Sequence, residues 1–177
     1  MAKFILYTCP VGPLAAQIDA YFERAQQQCG PNAAHAYMPH CTITGFFEDE
    51  AGATSIYLEA IAKSLNDFRD RTPHIPIDIK QLSFQEDWHG LVLKAEKLKE
   101  WVSCFAAIAR SPTRLESLRL KDWLHLSLAY GFLPGQAAEL QKIAEELVDP
   151  AATARWELRF YQRADGNHWI EHGSWQL

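Results

Sequence analysis

Two short segments of this chain place a histidine two residues before a hydroxyl side chain. They are Pro-His-Cys-Thr-Ile-Thr-Gly at residues 39–45 and His-Leu-Ser-Leu-Ala-Tyr-Gly at residues 125–131. Both are rich in apolar and β-branched residues, which favour strands, and side chains two apart on a strand share one face. We therefore expect His40 to point the same way as Thr42, and His125 the same way as Ser127.

This combination suits an in-line displacement at phosphorus, in which one group takes a proton from the nucleophile and another gives a proton to the leaving oxygen. Imidazole, with an ordinary pKa of about 6.5, does either near neutral pH. The hydroxyls of Thr42 and Ser127 can donate hydrogen bonds to the non-bridging phosphate oxygens. No spacing in the chain resembles a metal site, and the chemistry requires no metal.

A single His-x-Thr segment would be weak evidence, because a strand histidine is more often packed or at the surface than catalytic. The structural alternative is that local hydrogen bonds merely satisfy both imidazoles. Two copies, each ended by a glycine, favour two half-sites that face each other across a cleft.

The elements around the two segments follow the same order. Each segment precedes a turn, a helix and an alternating strand, and the second set follows the first by 85 residues, the separation of His40 and His125, within a few positions. This order predicts an α+β fold with two pseudo-symmetric lobes, each with an antiparallel sheet and helices. The catalytic cleft is then expected between the sheets.

Three further segments bear on the fold. Residues 76–84 predict a strand with a bulge, because the apolar alternation slips between Ile79 and Leu82. Residues 164–167, Ala-Asp-Gly-Asn, predict a hairpin turn. The basic segment at residues 111–122 favours no particular conformation.

Length and composition predict one domain over residues 1–177, built of two intertwined lobes. The net charge of −5 argues against tight, non-specific binding to a nucleic-acid backbone. No stretch approaches the roughly 20 apolar residues of a membrane span, and the N-terminus lacks the pattern of a signal peptide. The four cysteines lack Cys-x-x-Cys spacing and are expected to be reduced. We expect a cytoplasmic monomer without membrane contact.

The paired motifs resemble the signature of the 2H phosphoesterase superfamily, and the second motif is especially similar to that of plant and yeast cyclic phosphodiesterases. The resemblance covers most of the chain by element order but only about a dozen residues by motif. It implies hydrolysis of nucleoside 2′,3′-cyclic phosphates to 2′-phosphates, and of ADP-ribose 1″,2″-cyclic phosphate to the 1″-phosphate, without a metal or other cofactor. Ala129 departs from the more usual aliphatic pair before the tyrosine.

The resemblance also implies roles for individual residues. His40 and His125 would be the catalytic pair, and Thr42 and Ser127 the phosphate ligands. We favour His125 as the base that acts on water and His40 as the acid, although the sequence does not fix this polarity. By the same resemblance, Tyr130 would lie beside the nucleoside or ribose.

Trp88 resembles the family's aromatic residue in a flexible loop, and we expect it in the turn before a strand at 91–95, where it would stack on a base. We expect the other tryptophans, including Trp123, to pack in the core or the hairpin. His89 is interpreted as a surface or turn histidine, although it could reach the cleft beside Trp88. Thr44 should pack at the cleft edge.

The cations Arg114, Arg119 and Lys121 precede the second motif. The simpler interpretation is a solvated loop; the alternative is that one of them contacts a second phosphate. The expected partner is a small cyclic phosphate. The alternative is an RNA terminus, the substrate of an RNA-end 2′,3′-cyclic phosphodiesterase or ligase-like enzyme. A non-catalytic nucleotide-binding module and a scaffold whose cleft is incidental also remain open.

Overall fold

The computed structural model describes residues 1–164 and 168–177 and has an α+β fold, as predicted. Its four described α-helices are α1 (Pro13–Cys29), α2 (Thr54–Arg69), α3 (Glu96–Ile108) and α4 (Ala137–Leu147). Its described strands are β1 (Ala2–Val11), β2 (Cys41–Thr42), β3 (Phe47–Asp49), β4 (Asp78–Phe84), β5 (Trp88–Lys94), β6 (His125–Tyr130), β7 (Arg155–Arg163) and β8 (Trp169–Gln176). The predicted hairpin turn at 164–167 includes 165–167, which lie outside the described residues.

The strands form one antiparallel sheet in the order β4-β5-β6-β2-β1-β7-β8, with β3 also pairing with β1. If β1 is exchanged with β5, β2 with β6 and β4 with β7, the order of these six strands becomes its own reverse. The strand order therefore has the two-fold pseudo-symmetry that the repeated motifs predict.

The two lobes meet where β2 pairs with β6. A single residue pair, Cys41 opposite Leu126, connects these strands, while β2 also pairs with β1. The expected two sheets are thus joined edge to edge into one, and the two motifs lie on neighbouring strands rather than on separate sheets. This refines the predicted position of the cleft.

One face of the sheet carries the main core. Cys41 and Ile43 of the first motif and Leu126 and Leu128 of the second are at most 1% exposed. Helix α1 packs with α4, and α2 packs with α3, in keeping with the pseudo-symmetry. Burial of each large apolar side chain contributes about 1.5–3 kcal/mol to stability. Because side chains alternate between the two faces of a strand, burying these residues places the histidines on the opposite face.

The first motif forms a shorter strand than the sequence predicts, because its pairing with β1 becomes irregular after Thr42. The amides of Ile43 and Thr44 both donate to the Leu6 carbonyl. The Thr44 hydroxyl in turn accepts a hydrogen bond from the Leu6 amide at 3.1 Å, so this buried side chain satisfies a backbone donor of the sheet.

The basic segment for which the sequence favours no conformation lies alongside the first motif. The Gly45 amide donates to the Arg119 carbonyl, and the Lys121 amide donates to the Ile43 carbonyl. Upstream, the Thr113 hydroxyl donates to the buried carboxylate of Asp49. The segment is therefore fixed at both ends against the first half of the chain.

The predicted bulge in β4 is present, as a register shift between Ile79 and Gln81 against β5. Within 1–164 and 168–177, the structure contains no helix of the length and apolar character needed to span a bilayer.

Candidate active site

The two motifs place their polar side chains in one cavity. Because Cys41 lies opposite Leu126 in antiparallel register, His40 lies across from Ser127, and Thr42 across from His125. All four line a cavity of about 640 Å³. Tyr130 and Trp88, the two further residues predicted for substrate binding, also line this cavity.

His40 is held by the backbone of the segment that precedes β2. Its Nδ1 lies 2.8 Å from the Met38 carbonyl oxygen, and because a carbonyl only accepts, Nδ1 carries the proton. Its ring packs on Tyr7, with 4.0 Å between ring centroids. This leaves Nε2 as the nitrogen available to a ligand.

Burial lowers the pKa of His40 to about 4. The Met38 carbonyl opposes this shift by stabilising the charged form, and nearby His125 adds to it by repulsion. The free protein therefore holds His40 neutral across the physiological pH range.

His125 lies between two indole rings. The Trp123 ring stacks on it at 3.9 Å between centroids, and the Trp88 ring meets it edge-on at 5.2 Å. Burial lowers the pKa of His125; the Trp123 carbonyl opposes this shift, and the charge of Lys121 adds to it. Both imidazoles are thus easier to deprotonate than a free histidine.

Trp88 differs from its predicted place and contacts. It begins strand β5 instead of lying in the preceding turn, and only 8% of it is exposed. Its indole Nε1 donates to the Ser127 hydroxyl oxygen at 2.8 Å. Because the indole only donates, it occupies an acceptor position of Ser127 and leaves the serine O–H free to donate to a phosphate oxygen. The proposed stacking of Trp88 on a base remains a prediction.

Trp123 is a cavity residue that the sequence-based interpretation assigned to packing. It is 48% exposed and lines the cavity beside His125. Its spacing from His125 could have revealed it, since residues two apart in extended chain share a face. Gln85 and Asp87, in the turn before β5, also line the cavity and were not predicted.

His89 is not a surface or turn histidine. It lies within β5, is 2% exposed, and packs against the rings of Phe84 and Phe132. It does not line the described cavity, because neighbouring strand residues point to opposite faces.

The arrangement brings two imidazoles and two hydroxyls onto one face of two neighbouring strands. A phosphate group among them could receive hydrogen bonds from both hydroxyls while each imidazole approaches from its own strand. Such a site can transfer protons to and from a phosphoester without any further titratable group.

Comparison with known proteins finds relatives but no matching family model. The chain is 30% identical over 165 residues to ubiquitin-associated and SH3 domain-containing protein B of mouse and of human, covering 91% of this chain and 25% of each relative. It is 29% identical over 198 residues to ecdysteroid-phosphate phosphatase of Drosophila melanogaster, covering 91% of this chain and 26% of that relative. The chain thus spans about a quarter of the length of these relatives.

Proposed function

We propose that this chain is a metal-independent cyclic phosphodiesterase of the 2H type. It would hydrolyse nucleoside 2′,3′-cyclic phosphates, ADP-ribose 1″,2″-cyclic phosphate, or both, to phosphomonoesters. The observation that carries the proposal is the convergence of His40, Thr42, His125 and Ser127 on one cavity.

The reaction consumes one water molecule. One imidazole takes a proton from water as its oxygen forms a bond to phosphorus, and the bond from phosphorus to one ring oxygen breaks. The second imidazole gives its proton to that leaving oxygen, so the product is a phosphomonoester with a free hydroxyl. Thr42 and Ser127 donate hydrogen bonds to the non-bridging oxygens, where negative charge develops.

In this proposal His125 is the base and His40 the acid. The pKa of His40, lowered to about 4 in the free protein, must then rise when substrate binds. An anionic phosphate beside an imidazole favours its protonated form, which provides the required direction of shift.

The name of one relative also supports phosphoester hydrolysis, because ecdysteroid-phosphate phosphatase is named for cleaving a phosphate ester. About three quarters of that relative lies outside the aligned part, so its named activity supports only the general class of chemistry here. The cyclic substrate rests on the paired motifs and their geometry.

The direct test is turnover of 2′,3′-cyclic AMP in EDTA by the wild type, His40→Ala, His125→Ala and a control. His74→Ala is a matched control, because His74 is exposed and lies outside the cavity. We expect each catalytic variant to lose about 10²- to 10⁴-fold in kcat while circular dichroism stays unchanged, and the control to keep full activity. A fully active His40→Ala or His125→Ala, or a wild type that EDTA inactivates, would refute the proposal.

A further inference from the structure

A second cavity opens beside the first on the His40 side. It has a volume of about 260 Å³ and shares His40, Thr42 and Tyr130 with the first cavity. Its other side is lined by Tyr37, Phe46, Arg119 and Lys121, among others. A ligand whose phosphate lies between the two histidines could therefore extend directly into it.

Arg119 and Lys121 are held at this cavity by the backbone. Their segment pairs with the first motif through the hydrogen bonds from Gly45 to Arg119 and from Lys121 to Ile43. Residues two apart in this extended pairing share a face, which explains why both side chains line the same cavity. The position is thus built by the fold, although the segment joins no named strand.

Gly45, which ends the first motif, makes room for one of these cations. A Cβ atom added at Gly45 would lie 3.3 Å from Nε of Arg119 and 3.4 Å from two further atoms of that side chain. The guanidinium also donates weakly to the Phe46 carbonyl, at 3.4 Å. The backbone of the first motif therefore contacts the Arg119 side chain directly.

Across 1–164 and 168–177, neither Arg119 nor Lys121 forms an ion pair with a carboxylate, although the chain is acidic overall. Two cations facing a cavity without a carboxylate attract an anionic ligand. Arginine and lysine are both suited to phosphate, through paired N–H groups and through point charge respectively.

Aromatic rings complete the second cavity. Phe46 stacks near Trp169, with 6.1 Å between centroids, and Tyr37 lies 5.5 Å from the ring of His40. The Phe46 ring also lies within 6 Å of the charged groups of Lys3 and Arg163, at 5.4 and 5.8 Å. Flat rings beside positive charge fit a ribose or base that carries a phosphate.

We propose that Arg119 and Lys121 form a binding site for a second phosphate group of the substrate. The preferred substrate is then a nucleotide that carries a cyclic phosphate and a further phosphate ester, not a nucleoside cyclic phosphate alone. This inference rests on the proposed function, because it places the scissile phosphate between His40 and His125.

The test compares two substrates that differ by one phosphate: adenosine 2′,3′-cyclic phosphate and its 5′-phosphorylated form. The variants are Arg119→Gln/Lys121→Gln and, as a control with the same change in charge, Lys80→Gln/Lys142→Gln at exposed positions outside the described cavities. Calorimetry with the matched product-like ligands, adenosine 2′-phosphate and adenosine 2′,5′-bisphosphate, measures binding without turnover.

We expect the wild type to have a KM for the 5′-phosphorylated substrate lower by about tenfold or more, as one or two charged hydrogen bonds provide. Arg119→Gln/Lys121→Gln should abolish this preference, so that the two substrates have equal KM values. Because the charge of Lys121 also lowers the pKa of His125, any change in kcat should be common to both substrates. The control variant should keep the preference.

Equal KM values for the two substrates in the wild type, or an equal rise of both KM values in the Arg119/Lys121 variant, would overturn the second phosphate site while the proposed activity stands. If neither substrate is turned over, the proposed function fails. Calorimetry then decides the site alone: tighter binding of the bisphosphate that depends on Arg119 and Lys121 supports it, and equal binding refutes it.

Discussion

The two half-sites carry the same motif but are held in different ways. His40 packs on Tyr7, has its Nδ1 proton fixed by a backbone carbonyl, and borders a second, cationic cavity. His125 lies between two indole rings, and its neighbour Ser127 accepts a hydrogen bond from one of them. The strand order is pseudo-symmetric, but the surroundings of the two imidazoles are not, which allows each to take a different role in one reaction.

The strongest way to separate the half-sites is a substrate whose leaving group needs no acid, such as bis(p-nitrophenyl) phosphate. If His40 is the acid, His40→Ala should lose about 10³-fold on the cyclic substrate but less than tenfold on the aryl ester. His125→Ala, lacking the base, should lose about 10³-fold on both. Release of nitrophenol measures the aryl reaction, and the opposite pattern would reverse the two roles.

The pH dependence tests both imidazoles together. Burial lowers the pKa of His40 to about 4 and also lowers that of His125, so only below pH 6.5 does the free protein hold one protonated and one neutral imidazole. We expect kcat/KM for the cyclic substrate to peak on the acid side of pH 6.5 and to fall by about tenfold per pH unit well above the peak. A maximum above pH 7 would contradict this assignment of the two groups.

The hydrogen bond from the Trp88 indole to Ser127 lies on the His125 side of the site, and a single substitution removes it. Trp88→Phe keeps an aromatic ring beside His125 but leaves Ser127 without its donor. We expect kcat to fall about fivefold, the worth of one hydrogen bond of ordinary strength, with a smaller change in KM. Trp123→Phe is the matched control, since its ring stacks on His125 without bonding Ser127, and it should retain most of kcat. Equal losses in both variants would show that ring packing, not the hydrogen bond, matters.

The last expected effect concerns stability, not turnover, on the His40 side. Because the folded pKa of His40 is lowered to about 4 from 6.5, the unfolded chain binds more protons between these values, and protonation favours unfolding. The contribution of neutral, buried His40 to the free energy of unfolding is present above pH 6.5 and is lost as the pH falls towards 4. His40→Asn, whose amide can still donate to Met38, should show a smaller drop in urea midpoint between pH 7.5 and 5 than the wild type; an unchanged drop would exclude His40 as a cause.

Much of this architecture follows from local patterns in the sequence. The buried residues of α1, Leu14, Ile18, Tyr21 and Ala25, keep helical spacing, and α1 ends at Cys29 before Gly30 in a positive-φ conformation. The spacing of two between His40 and Thr42, and between His125 and Ser127, placed all four side chains on one face. Such features depend on neighbours within a few residues, which is why periodicity reveals them.

The features that sequence reasoning missed depend on distant partners. The irregular end of the strand at the first motif involves Leu6, 37 and 38 residues from Ile43 and Thr44. The position of Arg119 and Lys121 arises from pairing with residues 74 and 78 positions away, at Gly45 and Ile43. Trp88 faces Ser127 because β5 pairs with β6, which sets the indole beside a hydroxyl 39 residues away. No local pattern encodes these contacts, so only the assembled sheet shows how the two half-sites differ.

The pairing of β1 with β7 also constrains how the chain reaches its native state. On one edge of β1, Phe4 pairs with Gln162, 158 residues later. The other edge of β1 pairs with β2 and β3, which both lie before residue 50 of the chain. During synthesis one edge of this central, buried strand therefore stays open until β7 leaves the ribosome. Such non-local pairing slows folding and exposes a strand edge to other chains meanwhile, so a nascent chain arrested before residue 155 should aggregate where the full sequence folds.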